Sequence, residues 1–144
     1  MSPEPGEPAD GAAVVDASVV VAALIDDGPV GTWAERVMVG QRLWAPHHLP
    51  AEVMSVLRRM VVAERLEDGV ASMARLDLHG LPITFLPLAP FSERSWDLRR
   101  NICVYDAWYV AMAEEMDLPL ATLDQRLVRA PGPRCLFLTP ALHS

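Results

Sequence analysis

Val104-Tyr105-Asp106-Ala107-Trp108-Tyr109-Val110-Ala111-Met112-Ala113-Glu114, followed by Leu118-Pro119-Leu120-Ala121-Thr122-Leu123-Asp124, is the stretch on which the fold turns. Its first half reads as a helix. Asp106 stands where an N-cap or first-turn acid belongs, and Ala, Val and Met follow at helical spacing. Pro119 ends that pattern, and Leu118 to Leu123 is a short apolar run suited to a buried strand. Asp124 comes just past it. One acid opens a helix and the next closes the following strand, and in an α/β sheet such positions can meet at one edge. That edge, beyond the carboxyl ends of the strands, is where open parallel sheets place their sites. Two further acids arriving there from upstream would make a metal site.

Working outward, the same alternation recurs. Ala12 to Ala17 reads as a strand that closes at Asp16, and Ser18 to Ile25 as an apolar helix buried on most faces. After a turn at Asp26-Asp27-Gly28-Pro29, Val30 to Val39 reads as a helix with Trp33, Val37 and Met38 inward. Arg42 to Pro46 reads as a second strand. Leu49 to Leu66 is the longest helical pattern, with Val53, Val56, Leu57, Met60, Val61 and Leu66 near one stripe. Pro50 suits its first turn, and Glu52 lies where the helix dipole favours an acid. Glu67 to His79 is a further helix with Val70, Met73, Leu76 and Leu78 apolar, closed by Gly80 in a C′ role. Pro82 to Leu88 is a strand, Pro90 to Asn101 a helix, Gln125 to Val128 a short helix and Cys135 to Thr139 a last strand. Alternating strands and helices predict a three-layer α/β/α sandwich with a mainly parallel sheet.

At 144 residues and 51% apolar content the chain is sized for one domain with a sizeable core. Residues 1–12 read as a flexible Pro-, Gly- and acid-rich tail and 13–144 as the domain. The tail has neither the basic nor the apolar region of a signal peptide, and no apolar run is long enough to span a bilayer, so a cytoplasmic protein with no membrane partner is expected. Cys103 and Cys135 have no metal-ligand or redox spacing and read as two buried reduced thiols. The net charge is −7, with Glu4, Glu7 and Asp10 in the tail. That balance disfavours a protein that coats nucleic acid. It is compatible with an enzyme that meets phosphates through bound cations.

Four acids hold equivalent local positions: Asp16 after the first strand, Glu52 at the head of the long helix, Asp106 at the head of the key helix, and Asp124 after the strand that follows. The plainer reading of each is a helix cap or a partner for a helix dipole. Against this, Asp16 and Asp124 sit in strongly apolar runs, where an unpaired carboxylate is expensive. Clustered carboxylates call for a hard divalent cation, and an all-oxygen set selects Mg²⁺ or Mn²⁺ over zinc. Such an ion serves phosphoryl transfer. Ser18 and Thr122, each two residues from an acid, could orient a carboxylate, or be ordinary turn hydroxyls. Glu114, Glu115 and Asp117 read as a solvated helix end, and His47 and His48 as loop residues rather than ligands.

These motifs resemble the PIN-domain family, in particular its VapC-type ribonuclease toxins of type II toxin–antitoxin systems. The resemblance covers about Ala13 to Pro140. It rests on Val14-Val15-Asp16-Ala17-Ser18, Leu49-Pro50-Ala51-Glu52-Val53, Tyr105-Asp106-Ala107-Trp108-Tyr109-Val110-Ala111-Met112-Ala113-Glu114 and Thr122-Leu123-Asp124-Gln125-Arg126-Leu127, in that order. It implies that Asp16, Glu52, Asp106 and Asp124 form an acidic quartet that holds Mg²⁺ or Mn²⁺ and hydrolyses RNA through a metal-activated water. It also implies a homodimer and a VapB-type antitoxin whose C-terminal segment covers the site. Rival folds that gather acids at a sheet edge fit less well. A phosphoaspartate receiver and a P-loop NTPase need a lysine, and all twelve cations here are Arg. A haloacid-dehalogenase-type phosphatase wants a second Asp where Ser18 stands. A PIN-like scaffold that binds RNA or protein without cutting, and a metal-dependent DNA nuclease, remain as alternatives.

Overall fold

The structure, a computed structural model, describes residues 11–141. Its strands are β1 (Gly11–Val15), β2 (Gln41–Pro46), β3 (Ile83–Leu86), β4 (Leu120–Ala121) and β5 (Phe137–Leu138). Its α-helices are α1 (Ala17–Ile25), α2 (Pro29–Gly40), α3 (Leu49–Val62), α4 (Asp68–His79), α5 (Ser92–Asp97), α6 (Val104–Met116) and α7 (Gln125–Arg129). The sheet order is β3-β2-β1-β4-β5, and every pairing is parallel. This is the three-layer α/β/α sandwich that the alternation predicts. β1 starts at Gly11, inside the segment assigned to the tail; residues 1–10 lie outside the described residues.

The order sets the site. From β1 the chain steps outward to β2 and β3, then crosses back to add β4 and β5 on the other side of β1. Crossovers in parallel sheets are right-handed, so this reversal puts α1–α4 on one face and α5–α6 on the other. The packing agrees: α1 lies against α2, α3 and α4, whereas α6 lies against α5, β1 and β2. The reversal makes a topological switch point between β1 and β4, where ligands bind in open α/β sheets. Val14 is in register with Leu120 and Val15 with Ala121. Beyond the ladder, the Asp16 amide donates to the Ala121 carbonyl at 3.1 Å.

The key helix is the central one. Ala107 through Ala113 are all buried, so α6 hides its middle on every side, as a core helix does. It ends at Asp117 in the left-handed region, φ 54°, where the Leu118 amide reaches back to the Ala113 carbonyl. Asp tolerates that conformation better than most residues.

Several expectations are corrected. α3 stops at Val62, four residues before Leu66, because Glu64 turns left-handed (φ 58°) and Arg65 donates to the Met60 carbonyl. In α4 only Ala74 and Leu78 are buried; Val70, Met73 and Leu76 are exposed, as is Met54 on α3. Gly80 closes α4 with φ −93°, not in the left-handed C′ conformation. Cys103 is exposed and Cys135 only partly buried; both are free. Glu114 is not a solvated helix end. It takes Arg94 Nε at 2.7 Å and Nη2 at 3.2 Å, and the Arg134 amide at 2.8 Å, tying α6 to α5 and to the loop before β5.

A two-residue strand at the switch point depends on its side chains. Leu120 is fully buried and Leu136 is 79% exposed. Leu120→Ala should lower the unfolding free energy by ~2–5 kcal/mol, and Leu136→Ala by less than ~0.5 kcal/mol, both read from urea denaturation.

Candidate active site

Asp16 follows β1 and caps α1. Its Oδ1 accepts the Val19 amide at 3.3 Å and the Ser18 hydroxyl at 2.5 Å, and its Oδ2 accepts the Thr122 hydroxyl. The two hydroxyls are in turn fixed by the chain beyond β4. The Leu123 amide donates to Ser18 Oγ and the Asp124 amide to Thr122 Oγ1, both at 3.0 Å. Asp124 caps α7, its Oδ1 accepting the Arg126 and Leu127 amides at 3.0 and 3.4 Å. Capping is therefore real for Asp16 and Asp124. It does not use up either carboxylate, since each oxygen carries two lone pairs.

Glu52 and Asp106 come from the first turns of α3 and α6. Cys103, not Asp106, holds the N-cap position of α6. Glu52 lies beside a histidine that the sequence pattern places in a loop. His48 Nε2 is 3.2 Å from Glu52 Oε2, one helical turn away. The spacing of four at a helix head was the available signal.

The acids act on one another. Burial pushes the Asp16 carboxyl up to about 6; the hydroxyls of Ser18 and Thr122 pull the other way, and the charge of Glu52 adds to the rise. The Asp106 carboxyl is also raised, chiefly by burial, with Glu52 and Asp124 adding repulsion and the Cys103 thiol opposing it. Asp16 thus feels Glu52, and Asp106 feels Glu52 and Asp124. Even so, among the described residues no three Asp, Glu, His or Cys side chains stand close enough to hold one ion. The structure brings four acids into one electrostatic neighbourhood without closing them into a cage. Their chemistry suits a hard cation: an all-oxygen set, partly desolvated and mutually repelling, gains from positive charge at its centre.

Comparison with known proteins identifies the family. The family model of the PIN domain matches residues 13–133. Ribonuclease VapC1 of Mycobacterium tuberculosis is 40% identical over 126 residues, which cover 85% of this chain and 92% of that protein. The chain belongs to the PIN-domain family, in its VapC branch. Among solved structures, M. tuberculosis VapC20, described as a toxin that cleaves the sarcin–ricin loop, superposes with a TM-score of 0.61 at 17% identity, covering 81% of this chain and 93% of that one. VapBC2 of Rickettsia felis, bound to a promoter DNA fragment, gives 0.62 at 12% identity, covering 89% and 98%. These two likenesses concern the fold.

The raised carboxyl of Asp16 has a measurable consequence. Its folded value of about 6 lies above the ordinary 3.8. The folded state therefore holds the proton more tightly, and the stability from this group is fully present below pH 3.8 and lost as pH rises through about 6. In EDTA, the difference in unfolding free energy between wild type and Asp16→Asn should fall by on the order of 2 kcal/mol from pH 4 to pH 7. The Asn amide facing two hydroxyl donors shifts that difference by a constant and leaves its slope alone. A flat difference would mean that Asp16 is not held in a desolvated site. Urea titrations at each pH read it out.

Proposed function

We propose that the protein is a divalent-cation-dependent endoribonuclease, the toxin of a toxin–antitoxin pair, with Asp16, Glu52, Asp106 and Asp124 as its cation-holding and catalytic acids. The observation that carries this is the mutual electrostatic reach of the four acids at the switch point between β1 and β4. Relatives bearing the name ribonuclease over most of both chains support RNA as the substrate.

Asp16 is the fixed member. Two hydroxyls and an amide hold its carboxylate in one orientation, so it meets a ligand without rearrangement. Ser18 and Thr122 orient it, and Asp124 is held in turn by the α7 cap. Glu52 and Asp106, each partly exposed, bring charge from the other two elements. When bound, Mg²⁺ or Mn²⁺ supplies Lewis-acid charge to a phosphodiester oxygen and to the attacking water. The chain's own part is to fix the acids and to keep the floor of the site dry. Thr122, Leu120 and Ala121, next to Asp124 in the chain, are fully buried.

Met54 on α3 and Val70, Met73 and Leu76 on α4 are exposed apolar side chains, which this reading makes available to a protein partner. A VapB-type antitoxin and a second copy of the chain are the partners this reading assigns. Among the described residues no helix is long and apolar enough to cross a membrane.

The full chain should cut an RNA hairpin in Mg²⁺ or Mn²⁺ and leave the matched DNA hairpin intact. EDTA should abolish cleavage and zinc should fail to restore it. Equal cleavage of DNA would make it a DNA nuclease. Binding of RNA without cleavage in either cation would make it a silent scaffold.

A further inference from the structure

Among the described residues, four buried side-chain polar atoms lack a hydrogen-bond partner: His48 Nδ1 and Nε2, Trp108 Nε1 and Tyr109 Oη. All belong to one packed group. The His48 ring lies 4.9 Å from that of Trp108 and 5.1 Å from those of Tyr109 and Tyr105. Buried polar groups are nearly always paired, and their concentration at one place calls for a reason. Here they adjoin the acids: Tyr109 is fully buried, and its phenol is raised first by burial and then by the charges of Glu52, Asp16 and Asp106.

His48 is the member that reaches an acid. It occupies the N-cap position of α3, yet its side chain makes no capping bond. Its Nε2 instead faces Glu52 Oε2 at 3.2 Å without completing a hydrogen bond. The His48 side chain is 14% exposed and that of Glu52 34%. The ring is therefore locked by three aromatic neighbours while the carboxylate beside it is freer to turn. An imidazole N–H fixed in this way dictates which way a carboxylate faces.

We propose that His48 is a positioning residue for Glu52: held by the aromatic rings of α6, it offers its Nε2–H to the Glu52 carboxylate, which completes the bond by a small turn of its own and is so preset for the cation. This rests on the reading of the acids as a cation site, and it gives the α3–α6 aromatic cluster a purpose beyond packing. A ring that merely fills space would be replaced without loss by phenylalanine.

The test is Mn²⁺ affinity of the full-length protein, by calorimetry or by Mn²⁺ electron paramagnetic resonance, with no RNA present. His48→Phe keeps the ring and removes the donor, and should weaken Mn²⁺ binding about 10–100-fold. His48→Gln brings an amide N–H to the position of Nε2 and should stay within a few-fold of wild type. His48→Asn, whose amide falls one bond short, should bind as weakly as the Phe variant, and it serves if that variant does not fold. In a Glu52→Gln background, His48→Phe should cause no further loss. Wild-type affinity in both His48→Phe and His48→Asn would overturn the proposal. So would equal losses in the Gln and Asn variants, or an undiminished loss in the Glu52→Gln background. Absence of Mn²⁺ binding by the wild type would instead remove the cation reading itself, and this inference with it.

Discussion

An aspartate only 6% exposed has to be held by something, and Asp16 is held across the middle of the sheet. The Ser18 hydroxyl comes from its own helix and the Thr122 hydroxyl from the end of β4, 106 residues along the chain. The same two hydroxyls accept the amides of Leu123 and Asp124. Five side-chain and backbone groups thus fasten the ends of β1 and β4 into one unit. β4 itself is two residues long, so its place in the sheet depends on this fastening and on buried Leu120. The reversal of strand order falls at the same point, which is why the floor of the site and the centre of the fold are made of the same atoms.

That economy works against the isolated fold. Gathering acids at a partly desolvated edge raises the carboxyls of Asp16 and Asp106 through burial and repulsion. A sequence selected for stability alone would place apolar residues or paired charges there. The Arg94–Glu114 clamp shows that the chain builds a bidentate pair where it needs one, at the far end of α6. No arginine is paired with Asp16, Glu52 or Asp106 among the described residues; Asp124 has only an exposed Arg126 at 3.9 Å. On the proposed reading, a cation brings the positive charge that this edge lacks.

Much of this was legible beforehand because local signals and the global fold agree. The places of Asp16, Glu52, Asp106 and Asp124 at strand ends and helix heads are legible in the sequence, and the alternation predicts the parallel sheet. What escaped has physical causes. The stop of α3 rests on left-handed Glu64, with no glycine or proline to announce it. The exposure of Val70, Met73 and Leu76 depends on which face of α4 meets α3 and α1, and a sequence carries apolar content more clearly than it carries facing. Glu114 looked solvated because its partners, Arg94 and the Arg134 amide, lie 20 residues away in each direction. His48 reads as loop in the sequence because its meaning comes from aromatic residues on α6, which the chain reaches only after α3, α4, β3 and α5.

The central claim is that the four acids form one electrostatic unit completed by a divalent cation, and Asp106 tests it most directly because it feels both Glu52 and Asp124. Melting curves of wild type and Asp106→Asn, each in EDTA and in magnesium, are the measurement. Asn keeps the shape of the first turn and removes one charge. The account predicts that the variant melts above wild type in EDTA, and that magnesium raises wild type by mass action and the variant by less. Coincident curves for the two proteins in both conditions would contradict it, and would return the four acids to separate work as helix caps and first-turn acids.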